Sequence, residues 1–171
     1  MDTHHCFKIV TRNVRETQLL GRLIGDHLQT GVSIRLTGDL GSGKTCFVQG
    51  LALGLAVPDG YEITSPSYTL IHEYPGRLAF VHADLYRLAD EMDAESIGLG
   101  EYFSADTVLA VEWADRLADE FWPVPSLKIS FRMQDAESRR LQLFAYGLQI
   151  VDLIKEVLAK WETAARASSA R

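Results

Sequence analysis

The chain has 171 residues and a mass of 19.1 kDa, which suits one domain with a sizeable core and is too short for two comfortable ones. Its formal net charge of -6 argues against a general affinity for nucleic acid, because such binding draws on many lysine and arginine contacts. Two cysteines, Cys6 and Cys46, suggest no disulfide framework, and no stretch approaches the ~18 apolar residues of a membrane span. We expect a cytoplasmic protein with one domain over residues 1–162 and a flexible tail over 163–171.

The first third of the chain shows alternating strand and helix patterns. Cys6–Val10 is typical of a strand, and Asn13 and Glu16 have the spacing of a capping box at the start of an amphipathic helix. Val32–Thr37 is rich in β-forming residues and predicts a second strand. A helix is expected to follow over Cys46–Leu53.

Between that strand and that helix, residues 38–45 read Gly-Asp-Leu-Gly-Ser-Gly-Lys-Thr and fit the pattern G-x-x-x-x-G-K-[ST] at every fixed position. The glycines allow backbone N–H groups to converge on phosphate oxygens, at a helix N-terminus that favours negative charge. Lys44 can reach the β- and γ-phosphates, and the Thr45 hydroxyl is placed to bind Mg²⁺. The segment predicts binding of a nucleoside triphosphate.

The rest of the chain predicts a hairpin, a buried strand, a second strand pair and a terminal helix. The corresponding segments are Tyr68–Tyr74 with Leu78–His82 around the turn Pro75-Gly76, then Thr107–Val111, then Leu127–Phe131 with Leu141–Ala145, and an amphipathic helix from Ile150.

Two acids follow apolar runs directly, Asp84 after 78–83 and Glu112 after 107–111. Either fits the strand-end acid that holds Mg²⁺ beside a phosphate loop, directly or through water. Glu112 is the better candidate because its strand is the more uniformly apolar, and which acid orients an attacking water stays open. Trp113 either stacks on a base or fills the core, and the local sequence favours the core.

Thr64-Ser65-Pro66-Ser67-Tyr68 places hydroxyl groups around a proline that holds Ser65 in extended geometry. Such a loop can sense a γ-phosphate and relax on hydrolysis, or it can be an ordinary Ser/Thr turn.

Four motifs occur in order, at 38–45, 64–70 (Thr-Ser-Pro-Ser-Tyr-Thr-Leu), 82–87 (His-Ala-Asp-Leu-Tyr-Arg) and 111–114 (Val-Glu-Trp-Ala). Together they resemble the bacterial TsaE family, formerly YjeE. The resemblance implies an α/β, single-domain P-loop NTPase-like fold, with a mixed central sheet flanked by helices. It also implies an ATPase that uses ATP and Mg²⁺ to reset the TsaB–TsaD complex, which forms N6-threonylcarbamoyladenosine (t6A) at position 37 of tRNAs reading ANN codons. The tRNA would then be reached indirectly, through that complex.

The resemblance also assigns roles to residues. Lys44, Asp84 and Glu112 are the expected catalytic groups, and Thr45, Glu112 and Asp84 the expected metal site. Thr64, Ser65 and Tyr68 are expected to act as a switch. The expected nucleotide contacts are Asn13, Thr17, Leu40, Gly41, Ser42, Gly43, Lys44, Thr45, Trp113 and Arg140.

Two other functions fit the phosphate loop. A small-molecule or nucleotide kinase would need a lid with several arginines, and Arg139-Arg140 is the only adjacent pair. A nucleotide-dependent binding module would not need hydrolysis at all.

Overall fold

A computed structural model of the chain describes residues 4–88 and 91–169. The strands in this part are β1 (His4–Thr11), β2 (Val32–Thr37), β3 (Ile71–Tyr74), β4 (Ala79–Asp84), β5 (Thr107–Glu112), β6 (Ser126–Met133) and β7 (Arg139–Tyr146). The helices are α1 (Val14–His27), α2 (Lys44–Gly54), α3 (Glu91–Ser96) and α4 (Leu148–Ser169), with 3₁₀ turns at Leu99–Tyr102, Ala114–Arg116 and Asp119–Phe121.

The strands form one sheet in the order β1-β7-β6-β2-β5-β4-β3. The central strands β6, β2, β5 and β4 are parallel, whereas β1, β7 and β3 pair antiparallel with their neighbours. The mixed α/β sheet expected from the sequence is therefore confirmed. The hairpin predicted around Pro75-Gly76 is also present, because β3 and β4 pair in antiparallel register.

The larger core lies on the face of the sheet that α1, α2 and α4 cover, and it includes Ile34, Leu36, Phe47 and Ile154. A smaller core packs on the opposite face of the sheet, against β4 and β5. Glycines set the approach of α1 to α2, since a Cβ at Gly50 would lie 1.9 Å from the carbonyl oxygen of Gln18. This close approach holds the middle of α2 against α1.

Helix α1 begins with the capping interaction that the sequence predicts. The Asn13 side chain accepts a hydrogen bond from the Glu16 N–H at 2.9 Å, and the Glu16 carboxylate accepts one from the Arg12 N–H at 2.8 Å.

The tail predicted from residue 163 is helical as far as Ser169, because α4 continues to that residue. Ala165 is 3% exposed and extends the buried face of Trp161 by one turn. Residues 170–171 of the predicted tail lie outside the described residues. No helix within residues 4–88 and 91–169 has the length and apolar character needed to cross a membrane.

Candidate nucleotide-binding site

The glycine-rich loop joins the carboxyl end of β2 to the first turn of α2. Gly38, Gly41 and Gly43 have φ values of 138°, 75° and 104°, in the range that disfavours other residues. A Cβ at Gly38 would also lie 2.4 Å from the Phe131 carbonyl oxygen. No side chain caps α2 at Gly43, so its first N–H groups remain available to a ligand in the loop. The Ser42 hydroxyl is buried and has no hydrogen-bond partner in the described structure.

Lys44 folds back over this loop. Its Nζ donates hydrogen bonds to the carbonyl oxygens of Gly38 at 2.6 Å and Asp39 at 3.0 Å. The same amine lies 4.2 Å from the centroid of the Trp113 ring, a cation–π distance. Burial lowers the pKa of Lys44 from its ordinary value, although carboxylates including Glu112 and Asp84 oppose the shift. The amine is thus held beside the loop at a cost in solvation that an anionic ligand would offset.

Asp84 and Glu112 lie directly opposite each other at the carboxyl ends of the parallel strands β4 and β5. Both are buried, at 3% and 4% exposure. Glu112 Oε1 accepts hydrogen bonds from the Thr45 hydroxyl at 2.8 Å and from His82 Nε2 at 2.9 Å. His82 itself is fully buried, and its Nδ1 has no partner among the described residues. The prediction of two strand-end acids beside the loop therefore agrees with the geometry.

Asp84 connects this site to the segment predicted as a switch. Its carboxylate accepts hydrogen bonds from the Ser65 hydroxyl and from the Tyr86 N–H. The Asp84 N–H donates to the Leu70 carbonyl oxygen at 3.0 Å, so both ends of 65–70 are tied to one residue.

A cavity of about 380 Å³ brings these groups together. Its walls are the loop residues 40–46, Ser65, Ser67, Tyr68, Asp84, Tyr86, Arg87, Glu112 and Trp113. The exposed Tyr68 ring packs 4.3 Å from the Arg87 guanidinium, and Trp113 packs against Tyr86 with ring centroids 5.0 Å apart. Trp113 thus lines the cavity, as the resemblance implied. Thr64 is exposed and is not among the cavity residues.

The structure does not bring Thr17, one of the predicted nucleotide contacts, into the cavity beside the loop. Thr17 is only 2% exposed, and its hydroxyl is hydrogen-bonded to that of Thr11 at 2.8 Å. The same hydroxyl lies 3.4 Å from the Asn13 carbonyl oxygen, one helical turn earlier. Asn13 lines a second depression, of about 440 Å³, with Val14, Arg15, Ala136, Glu137 and Arg139.

Arg139, and not the predicted Arg140, is the arginine that contacts the loop. Arg139 Nε donates to the Ser42 carbonyl oxygen at 3.1 Å, and Nη2 donates to that of Gly41 at 3.4 Å. Consecutive residues of a strand point to opposite faces, so Arg140 lies on the other side of β7. Arg139 also lines the Asn13 depression and therefore joins it to the phosphate loop.

The structure also places at the site four residues that the sequence motifs contain but that were not among the predicted site residues, namely Ser67, His82, Tyr86 and Arg87. For His82 a signal was present. It lies two residues before Asp84 on the same strand, and the two-residue period puts both side chains on one face.

The donors present suit a magnesium ion. The structure over 4–88 and 91–169 contains no group of three or more histidine, cysteine, aspartate or glutamate side chains able to hold a metal alone. Mg²⁺ usually takes one or two carboxylates together with phosphate oxygens and water. The Thr45 hydroxyl, Glu112 and Asp84 provide such a partial set beside the phosphate loop.

The mixed sheet, with the glycine-rich loop between a central strand and its helix, defines an α/β protein with a P-loop NTPase-like fold. The sequence model of the family "Threonylcarbamoyl adenosine biosynthesis protein TsaE" matches residues 11–141. The chain therefore belongs to the TsaE family, which is named for the biosynthesis of t6A in tRNA.

Individual relatives agree with this assignment. The chain is 42% identical to the tRNA threonylcarbamoyladenosine biosynthesis protein TsaE of Treponema pallidum, over 74% of this chain and 91% of the relative. It is 36% identical to TsaE of Bacillus subtilis, over 86% and 90% of the two chains. The crystal structure of Bacillus subtilis YdiB superposes with a TM-score of 0.74 at 32% identity, covering 94% of this chain and 99% of YdiB.

Proposed function

We propose that this protein is a magnesium-dependent ATPase whose hydrolysis of ATP regulates or resets the TsaB–TsaD complex during t6A formation. Membership of a family named for t6A biosynthesis supplies the pathway. The observation that carries the ATPase proposal is the contact between the Thr45 hydroxyl and the Glu112 carboxylate at the phosphate loop. These are the two protein oxygens that a phosphate-bound Mg²⁺ needs beside it.

The triphosphate would lie against the loop at 40–45. There it would meet the free N–H groups at the start of α2, together with the buried Ser42 hydroxyl. Lys44 would exchange its two loop carbonyls for phosphate oxygens, which relieves the solvation cost that lowers its pKa. Mg²⁺, when bound, would neutralise charge on the β- and γ-phosphates.

The second depression is the proposed place of the base. Asn13 and Arg15 line it, and Arg139 connects it to the Gly41 and Ser42 carbonyls. A nucleotide could thus extend from the loop along Arg139, with its phosphates at one end and its base at the other.

The two carboxylates support hydrolysis better than transfer to a metabolite. Both are buried at the end of the cavity where the γ-phosphate would lie, and either can orient a water molecule. Ser65 is bonded to Asp84, so a change at this acid would reach the segment at 65–70 and the exposed Tyr68. That segment is the proposed link to the TsaB–TsaD complex.

The experiment measures release of phosphate from ATP by the purified chain, with and without Mg²⁺ and the TsaB–TsaD pair. We expect weak Mg²⁺-dependent hydrolysis that the pair alters. Glu112→Gln and Asp84→Asn should lower the rate by about 100-fold or more while nucleotide binding persists. Glu101→Gln, which removes an exposed carboxylate outside the cavity, is the matched control.

Three outcomes would contradict the proposal. Rapid hydrolysis that ignores the pair would exclude a regulatory role. Labelled phosphate on a metabolite would indicate a kinase. Normal t6A formation in cells carrying Glu112→Gln would favour a binding module without hydrolysis.

A further inference from the structure

Within residues 4–88 and 91–169, no α-helix packs on one face of the half-sheet formed by β1, β7 and β6. Helices α1, α2 and α4 pack on the opposite face, and the side chains of β1, β7 and β6 that point away from them belong to neither hydrophobic core. We call these residues the open sheet face. They are His4, Cys6, Lys8 and Val10 of β1, Lys128, Ser130 and Arg132 of β6, and Arg140, Gln142, Phe144 and Tyr146 of β7.

The open sheet face is basic although the protein is acidic. The chain carries 23 aspartates and glutamates, yet β1, β6, β7 and the adjoining β2 contain none. Lys8, Arg132 and Arg140 are exposed, and within the described residues none of them forms a salt bridge. An uncompensated basic patch of this kind favours an anionic partner.

The pairing register places these charges close together. Arg132 and Arg140 lie directly opposite each other on β6 and β7, and like charges so placed destabilise a sheet. Lys8 pairs with Gln142 in the next row, about 7 Å along the strands. A bound polyanion would remove this repulsion.

On the side of the patch next to β2, an aspartate partly neutralises two of the cations. Asp119 lies 3.0 Å from a terminal nitrogen of Arg35 and 3.1 Å from Nζ of Lys128. These two cations already have an anionic partner, so the three unpaired cations are the ones available to a ligand.

Aromatic rings lie on the same face, in the rows beyond Lys8 and away from Arg132 and Arg140. The Arg35 guanidinium already lies 4.5 Å from the centroid of the Tyr146 ring. His4 stacks on Tyr146 with ring centroids 5.6 Å apart, and Phe144 is half-buried although it belongs to neither core. A sheet face that combines cations with aromatic rings suits nucleic acid, because the cations meet phosphates and the rings stack on unpaired bases. An acidic protein surface would explain the cations but would not use the rings.

We propose that the open sheet face binds the sugar–phosphate backbone of RNA, with a folded tRNA as its occupant. The choice of RNA follows from the charge, the rings and the naming of the family for tRNA modification. The proposal adds a direct contact to the indirect access through TsaB–TsaD expected from the resemblance. It does not depend on ATP hydrolysis.

The test measures binding of a fluorescently labelled, unmodified tRNA transcript to the full chain as salt is varied. With three phosphate contacts and a slope of ~0.9 per contact, affinity should fall about 40-fold between 50 and 200 mM salt. The double variant Lys8→Gln/Arg132→Gln removes two contacts, which should weaken binding about 60-fold at 0.1 M salt and reduce the slope to about 0.9.

Arg22→Gln/Lys155→Gln is the matched control. It makes the same charge change with two exposed cations on α1 and α4, which cover the opposite face. It should leave tRNA affinity unchanged. Thermal unfolding shows that all variants remain folded. Failure of the wild-type chain to bind fluorescent ADP would count against the proposed ATPase and not against the RNA site.

Several results would overturn the RNA assignment. They are absence of tRNA binding at 50 mM salt, equal binding by wild type and Lys8→Gln/Arg132→Gln, and equal weakening by the control pair. Competition by polyglutamate as strong as by unlabelled tRNA at equal charge would instead indicate a surface for acidic proteins.

Discussion

His82 tests whether Glu112 is held in place by a buried neighbour. The ring is fully buried, with Nε2 2.9 Å from Glu112 Oε1 and Nδ1 without a partner in the described structure. Because the carboxylate can only accept, Nε2 carries the proton and donates it. His82→Leu removes this donor at similar volume, whereas His82→Gln places an amide N–H near the position of Nε2.

His82→Leu should change the free energy of unfolding only slightly but should weaken magnesium-dependent nucleotide binding clearly. A hydrogen bond to a charged group contributes about 1.5–3 kcal/mol, and an unpaired buried polar atom costs about 1–3 kcal/mol. His82→Leu removes both the bond and the unpaired Nδ1, so the free energy of unfolding should change by less than about 2 kcal/mol. Loss of a group that orients a metal ligand commonly weakens metal binding about 10- to 100-fold. The magnesium-dependent part of nucleotide affinity should therefore fall at least about tenfold.

Calorimetric titration with ADP, with and without Mg²⁺, separates the magnesium-dependent part of the nucleotide affinity from the rest. Urea unfolding measures the stability of each variant. His82→Gln should restore most of the magnesium effect, and His27→Leu, at the last residue of α1 and outside the cavity, should not change it. The reasoning fails if His82→Leu retains the full magnesium effect, or if His82→Gln is as defective as His82→Leu.

Two further predictions concern Lys44 and the arginine pair. Burial lowers the pKa of Lys44 in the folded protein below its ordinary value of 10.5. The buried charged amine therefore lowers the free energy of unfolding at pH values below the folded-state pKa. That loss is recovered as the pH rises from the folded-state pKa to 10.5. Near pH 7, the Lys44→Met variant should therefore have a higher free energy of unfolding than wild type, measured by chemical denaturation. The difference should become smaller as the pH approaches 10.5, and a difference that grows would contradict this. Arg139→Gln, which loses the contacts with the Gly41 and Ser42 carbonyls, should weaken ADP binding about five- to thirtyfold in fluorescence titration, corresponding to about 1–2 kcal/mol. Arg140→Gln should leave ADP affinity within about twofold, and equal effects of the two variants would refute the assignment of Arg139.

The central part of the site was predictable because it depends on short-range pattern. The phosphate loop at 38–45 is recognised from the spacing of its residues and from the strand before it, and the sequence shows both. Asp84 and Glu112 were found as acids that end apolar strands, and parallel pairing then brings such ends together.

Other features of the site depend on contacts between distant segments, which spacing alone does not reveal. Tyr86 and Arg87 enter the cavity because the chain turns at Asp84, where the carboxylate accepts the Tyr86 N–H. Thr17 has a suitable side chain for a nucleotide contact, yet its hydroxyl pairs with Thr11 inside the protein. The burial of Ala165 in the last turns of α4 was not predictable from its neighbours Ala164 and Arg166, and only packing reveals it.

Strand β7 shows why a one-residue uncertainty matters in a sheet. Arg139 and Arg140 are adjacent and chemically identical, but the alternation of the strand sends one to the phosphate loop and the other to the open sheet face. A shift of one residue in the β6–β7 register would exchange them, placing the other arginine at the loop. The buried alternates Leu141, Leu143 and Ala145 prevent this shift, because it would expose all three to water. Hydrophobic packing on one side of β7 therefore decides which arginine can serve the nucleotide and which can serve RNA.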